Sequence, residues 1–296
     1  MNYYKEIKEN LINNEITKKV KDYSKNRSDL ETYYKVGKLL SEAGKHYGEG
    51  IIKKYSMKLT DELGKGYSWR NLYNMKIYYM LLNTNPILQP MVAKLNWTII
   101  TIILSLKEEL KILYYISISI KYNLTKRELN QKIKNKEYER TPKEVVEKII
   151  KNEEVEIKES IKEPIIIRSN IKDKINEKIL QKIIVENISE FMKELGEGYS
   201  YIDSEYKIKL GNTYNYIDLL LFNIKYNCYV VIELKVTDLR KEHIGQIQTY
   251  MNYIDKNIKG IYQDKTIGII LVKRNNEFII EYSSDDRVLS REYVLN

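Results

Sequence analysis

The stretch YNYIDLLLFNIKYNCYVVIELKV, residues 214–236, constrains the fold most. It holds two short apolar runs, rich in branched residues and joined by the polar connector NIKYN. Such runs read as neighbouring strands that are nearly continuously buried. The short connector makes them a hairpin. Folded about Lys225–Tyr226, the hairpin brings Asp218 opposite Ile232–Glu233. Successive side chains alternate between the faces of a strand, so Glu233 and Lys235 point the same way. A Glu-x-Lys on a strand is usually a solvated face. Here YVVI precedes it, Val236 follows, and LLLF lies on the partner strand. Charges seldom sit in such surroundings without a partner or a function.

Two carboxylates and an amine therefore converge at one end of a buried strand pair, and that convergence has a chemical use. A hard cation such as Mg2+ takes oxygen ligands and keeps several waters, so Asp218, Glu233 and the backbone carbonyl of Leu234 offer an open site. Mn2+ is expected to substitute. Lys235 would orient or activate a water and stabilise charge building on a phosphate.

The order of elements around the hairpin extends this reading. Apolar spacing predicts a helix over 173–195, stopped at Gly196. An alternating strand follows in YSYIDSEYKIKLGN, with Tyr206, Ile208 and Leu210 on one face and Lys207 and Lys209 on the other. After the hairpin, Asp238 offers an N-cap for a helix through LRKEHIGQIQTYMNYID, and TIGIILVKR reads as another buried strand. EFIIEYS is expected to add one more strand.

That order, with acidic residues on its second and third strands, is similar to the core of the PD-(D/E)XK nuclease superfamily. The segments ELGEGYSYIDSEYKIKL, YNYIDLLLFN, CYVVIELKV and GQIQTYMNYID resemble its YhcG-like bacterial family. YGEGIIKKYSMKLTDELGKGYSWRNLYNMKIYY, KLNWTIITIIL and LTKRELNQKIKNKEYER resemble the helical N-terminal domain of the same family. The resemblance implies a DNA-associated, metal-dependent phosphodiesterase and carries over to Asp218, Glu233 and Lys235 as catalytic positions. The nominal Pro-Asp is Ile217-Asp218 here, a change beside the ligand and not in it.

Other candidates carry less. Gln246 and Tyr250 share a helix face and resemble a Gln-x-x-x-Tyr element of some nucleases in the superfamily. They read equally as phosphate or base contacts, or as an amide and a phenol at the edge of a core helix. Glu186 is a further metal carboxylate, with a solvated helix face as its plainer account. Two histidines and a single cysteine leave little material for zinc or nucleophilic chemistry. Cys228, on a buried strand, reads as a packed thiol.

The N-terminal half reads as all helix, with spans near 2–23, 30–43, 50–63, 68–82, 97–105, 107–121 and 125–136. MKLTDELGKGYSWRNLYNMKIYYML has the outline of a helix-turn-helix whose second helix starts at Ser68. Arg70, Asn71, Asn74 and Lys76 stand where a recognition helix presents its contacts to DNA. Helical hairpins with glycine turns are commoner than DNA readers, so packing is the competing account.

The expected organisation is α+β. An all-helical domain over 1–140 comes first, then a charged linker over 141–166, then a restriction-endonuclease-like α/β domain with a central mixed sheet over 167–296. The formal charge of +9 fits a polyanion such as DNA without requiring one. The longest apolar run, WTIITIILSL, is too short to span a bilayer, the start of the chain lacks a secretory pattern, and a cytoplasmic setting is expected. The leading expectation is a Mg2+-dependent endonuclease acting on DNA. Two alternatives stay open: a nuclease-like fold that binds DNA without cutting, and a scaffold whose N-terminal helices self-associate or recruit a protein partner.

Overall fold

A computed structural model describes residues 2–20, 25–169, 175–281 and 285–296. The chain divides into two compact units, Met1–Tyr138 with Ile149–Asn152, and Glu139–Lys148 with Glu153–Asn296. Among the described residues no helix is long and apolar enough to cross a membrane.

The first unit is helical: α1 (Tyr3–Val20), α2 (Lys25–Tyr47), α3 (Gly50–Leu63), α4 (Trp69–Thr84), α5 (Gln89–Val92), α6 (Trp97–Ile103), α7 (Glu109–Lys121) and α8 (Lys126–Lys134); α9 (Lys143–Lys151) is divided between the units, its first six residues belonging to the second. Residues 21–23 of the first expected helix lie outside the described residues. Helices α1 to α4 share a core that includes Ile7, Leu11, Val36, Leu40, Leu59, Leu72 and Met75. The Ser68 side chain accepts from the Asn71 N–H and starts α4, while Thr125 and Glu128 cap each other at the start of α8. At Gly37 the α2 backbone lies against α4, since an added Cβ would stand 2.1 Å from the Met75 carbonyl oxygen. We expect Gly37→Ala to destabilise the protein by about 1–3 kcal/mol, because backbone cannot swing aside as a side chain does. An unchanged melting temperature would show that the two helices separate freely.

The second unit is built on a six-stranded mixed sheet of β1 (Ile165–Ile167), β2 (Tyr199–Leu210), β3 (Thr213–Asn223), β4 (Cys228–Leu234), β5 (Asp264–Val272) and β6 (Val288–Leu295), ordered β1-β6-β5-β4-β3-β2. The β2–β3 and β3–β4 pairs are antiparallel and the others parallel. Its helices are α10 (Ile157–Ser160), α11 (Glu177–Glu186), α12 (Ile188–Leu195), α13 (Lys241–Asn257) and α14 (Glu277–Glu281). Leu180, Ile184, Phe191 and Leu195 of α11 and α12 pack with Leu219, Leu221, Val230, Ile232 and Leu234. Ile247, Met251 and Ile254 of α13 pack with Leu220, Val231, Ile270 and Val272. Helices cover both faces, so the central strands are buried on both sides, as their unbroken apolar runs require.

Several expectations are corrected. The single helix over 173–195 breaks at Asn187, whose side chain donates to the Ile183 carbonyl while its backbone leaves helical geometry; residues 173–174 lie outside the described residues. Asp238 does not cap α13. It bridges to Arg274, and the Leu239 N–H donates to the Arg274 carbonyl at 3.0 Å, so extended chain continues beside β5. The helix opens later, where the Arg240 N–H donates to His243 Nδ1. Residues 277–281 of EFIIEYS form α14 and not a strand, and Tyr282 and Ser283 lie outside the described residues. The last strand is β6 instead, disguised by Arg291 and Glu292. Arg291 is held in place by donating to the carbonyls of Lys158, Ile161 and Ser290. Residues 141–166, expected as a linker, are structured. Val145, Val146, Ile157 and Ile161 are buried, Arg140 bonds Glu194, and Ile165 opens β1 beside β6.

Candidate active site

The β3–β4 register pairs Leu219 with Ile232 as the last matched residues, so Asp218 and Glu233 stand next to each other at the end of the pair. Asp218 Oδ2 accepts from the Leu234 N–H at 2.7 Å, and Gln181 of α11 donates to the Asp218 carbonyl at 2.8 Å. Strand and helix together therefore fix this aspartate. Glu233 is 2% exposed, and its Oε1 accepts from Lys235 Nζ at 2.7 Å. Its Oε2 is buried and has no hydrogen-bond partner among the described residues. Lys235 Nζ also lies 3.6 Å from Glu177 Oε2, and its backbone N–H is tied to the Leu271 carbonyl.

The electrostatics follow from burial. Loss of water, then the neighbouring Asp218 charge, pushes Glu233 up to about 7 against the pull of Lys235. Burial also raises Asp218, opposed by the Leu234 N–H and by Lys235. Burial works against the Lys235 charge, yet the Glu233 carboxylate, Glu177 and Asp218 together outweigh it and hold the ammonium above its ordinary value. The lysine stays charged while the acids are held back.

This arrangement predicts a pH effect on stability. An acid whose folded pKa is raised contributes stability below its unfolded value and loses it as pH climbs through the folded one. Without metal, the Glu233 contribution therefore falls between pH 4.5 and about 7, a window in which Lys235 does not titrate. We expect Glu233→Gln to flatten that part of the melting-temperature profile, and Mg2+ to raise the parental melting temperature most at the upper end. A parallel profile for the variant would count against the buried acid as its source.

Metal fit is judged from the donors. A buried carboxylate oxygen without a partner, next to a second carboxylate, suits a hard cation that supplies the missing contact. Among the described residues no group of three or more His, Cys, Asp or Glu gathers at metal-binding distances. Mg2+ needs only one or two carboxylates from the protein.

The remaining candidates divide. Tyr250 is buried on the α13 side, where Gln246 Nε2 donates to its hydroxyl at 3.1 Å. Burial raises its phenol, and the Glu233 and Asp218 charges add to the shift, which puts Tyr250 within reach of their field. Glu186 is not brought into the cluster. It is exposed and makes a long ion pair with Lys182 one turn back. The helix carboxylate that reaches Lys235 is Glu177, in the first turn after the Asn176 cap. Sequence reasoning missed Glu177 and Gln181; an Asn-Glu helix start was the available signal for the first.

In the helical unit, Arg70 is exposed and Asn74 half-buried. Asn71 donates to the Gly66 carbonyl and accepts from Trp97 Nε1, so both ends of its amide are engaged in the turn. Lys76 is 8% exposed and paired with Glu49. Its ammonium pairs with Glu49, whose side chain is largely exposed, so Lys76 is less available than its position in the helix start implied. Cys228 is buried, and burial pushes its thiol up to about 11, consistent with packing and not nucleophilic use.

A mixed sheet with a helix layer on each face, and two acids and a lysine at the end of its central strands, defines a PD-(D/E)XK-type nuclease module. Residues 158–293 match the family model described as the YhcG PDDEXK nuclease domain, and residues 7–140 match the DUF1016 N-terminal domain. The chain belongs to the YhcG-like family of PD-(D/E)XK nucleases. An Escherichia coli (strain K12) protein described as "Putative nuclease YhcG" is 22% identical over 307 residues, covering 88% of this chain and 82% of that protein. A repair endonuclease from Pyrococcus abyssi is similar over 41% of this chain and 48% of its own, at 20% identity and TM-score 0.30. The protein in an EndoMS complex with double-stranded DNA is similar over 42% and 48%, at 17% identity and TM-score 0.31.

Proposed function

We propose that this chain is a divalent-metal-dependent endonuclease that hydrolyses DNA phosphodiester bonds. The observation that carries the reading is the partnerless Oε2 of Glu233, buried beside Asp218 with an ammonium 2.7 Å from its sister oxygen. Asp218, Glu233 and the Leu234 carbonyl would hold Mg2+, with Mn2+ able to replace it; the extra carboxylate is Glu177 in preference to Glu186. The cation, when bound, supplies charge neutralisation at the phosphate and makes water more acidic. Asp218 is kept in place by the Leu234 N–H and by Gln181, so its second oxygen is presented in one direction. Lys235 stays protonated beside the acids and donates to the attacking water or to a phosphate oxygen as charge grows there. Gln246 and Tyr250 border the same face and contact phosphate or base. Arg70 and Asn74 of the helical unit are its remaining candidates for DNA contact.

Purified full-length protein should be incubated with linear, supercoiled, branched and single-stranded DNA in Mg2+, in Mn2+ and in EDTA. Internal cleavage that needs the cation is expected. Binding without cleavage in every condition would leave the non-cutting reading standing.

A further inference from the structure

Beyond Asp218, β3 is matched only with β2, and the two strands form a two-stranded arm at the edge of the sheet. One side of the arm is covered: Ile208 and Ile217 are buried, and Tyr206 and Leu210 pack with them, in the core that holds α13. The other side is exposed among the described residues. Lys207 pairs across from Tyr216 and Lys209 across from Tyr214, and all four are exposed. The tyrosines are 55% and 51% exposed, large aromatic surface for one face of a sheet. Lys207 Nζ stands 3.9 Å from the centre of the Tyr214 ring. Tyr216 and Tyr214 lie about 7 and 13 Å along β3 from Asp218; Ile217 and Leu220, three residues apart, both enter the α13 core, so the simple alternation of faces is interrupted between the arm and the rest of β3. Ser204 pairs with Leu219 and Tyr206 with Ile217, so Glu205 stands beside Asp218 where the arm begins.

Aromatic rings interleaved with lysines are the elements of a surface that follows a nucleic-acid strand: rings stack on bases and ammonium groups meet phosphates. Bases inside a duplex are already stacked on each other, so exposed rings gain most from bases that are unpaired. The charge suits a polyanion, and the arm begins beside Asp218, where β3 leaves β4 and continues with β2 alone.

We propose that this face of the β2–β3 arm is a track for an unpaired nucleic-acid strand entering the site at Asp218, with Tyr214 and Tyr216 stacking on bases and Lys207 and Lys209 holding phosphates. It rests on the nuclease reading and narrows the substrate to single or splayed strands next to the cut.

The test measures binding of full-length protein, in EDTA, to a fluorescein-labelled fork with unpaired arms, to the matching fully paired duplex, and to the free single strand. Tyr214→Ala with Tyr216→Ala should weaken fork and single-strand binding by roughly tenfold or more and change duplex binding far less. Phenylalanine at both positions should preserve affinity. Lys207→Ala with Lys209→Ala should flatten the salt dependence on the single strand by about 0.7 per lost contact. All four side chains are exposed, so the variants should keep the parental melting temperature. Parental fork binding by the alanine pair would overturn the track, as would equal losses on fork and duplex or an equally weak phenylalanine pair. Failure of the parent to bind any of the three would overturn it too. Tyrosine-dependent fork binding with no cleavage in Mg2+ or Mn2+ would instead remove the nuclease reading and leave the track standing.

Discussion

Asp218→Asn and Glu233→Gln should each reduce cleavage to background while leaving the fold intact. Each change keeps the side chain's size and removes the charge that a hard cation requires. The loss should be severe because the site has few carboxylates to spare. Folding should survive for reasons visible at each position: asparagine can still accept from the Leu234 N–H through its oxygen, and glutamine can still accept from Lys235. Affinity for DNA should persist, or rise when metal is scarce, since carboxylates repel phosphate. The decisive measurement is single-turnover cleavage with saturating protein, beside a melting curve for each variant. Undiminished cutting by either one would remove these residues from the site.

Lys235→Ala should lower the single-turnover rate by at least about a hundredfold, with metal and DNA affinity nearly unchanged, as expected when a contact made chiefly in the transition state is lost. Lys235→Arg should restore only part of the rate. A planar fork does not replace a compact ammonium wedged between Glu233 and Glu177. Alanine also leaves Glu233 without its hydrogen-bonded counterion, so the metal-free variant should melt lower. Parental rates from the alanine variant would mean that Glu-x-Lys is only a buried ion pair, and would favour a protein that binds without cutting.

The sequence itself determined the hairpin and the cluster on it. The unbroken apolar runs demanded a strand pair covered on both sides, and the length of NIKYN fixed the pivot, so the neighbourhood of Asp218 and Glu233 followed from counting residues. Helix starts with strong local chemistry, at Ser68 and Thr125, were equally legible because a cap is decided within four residues. What the tertiary structure decided is what depends on partners distant along the chain. Residues 141–166 alternate in charge like a linker, yet Ile165–Ile167 become a strand because the edge of β6 is there to receive them. Arg291 and Glu292 hid β6, since their accommodation relies on groups more than a hundred residues away. Lys76 looked like a surface cation until Glu49 closed over it. The same holds at the site: Glu177 and Glu186 are both acidic residues of α11, and only the placement of that helix against β4 selects Glu177, because electrostatic reach is set by distance in space and not by position in the chain.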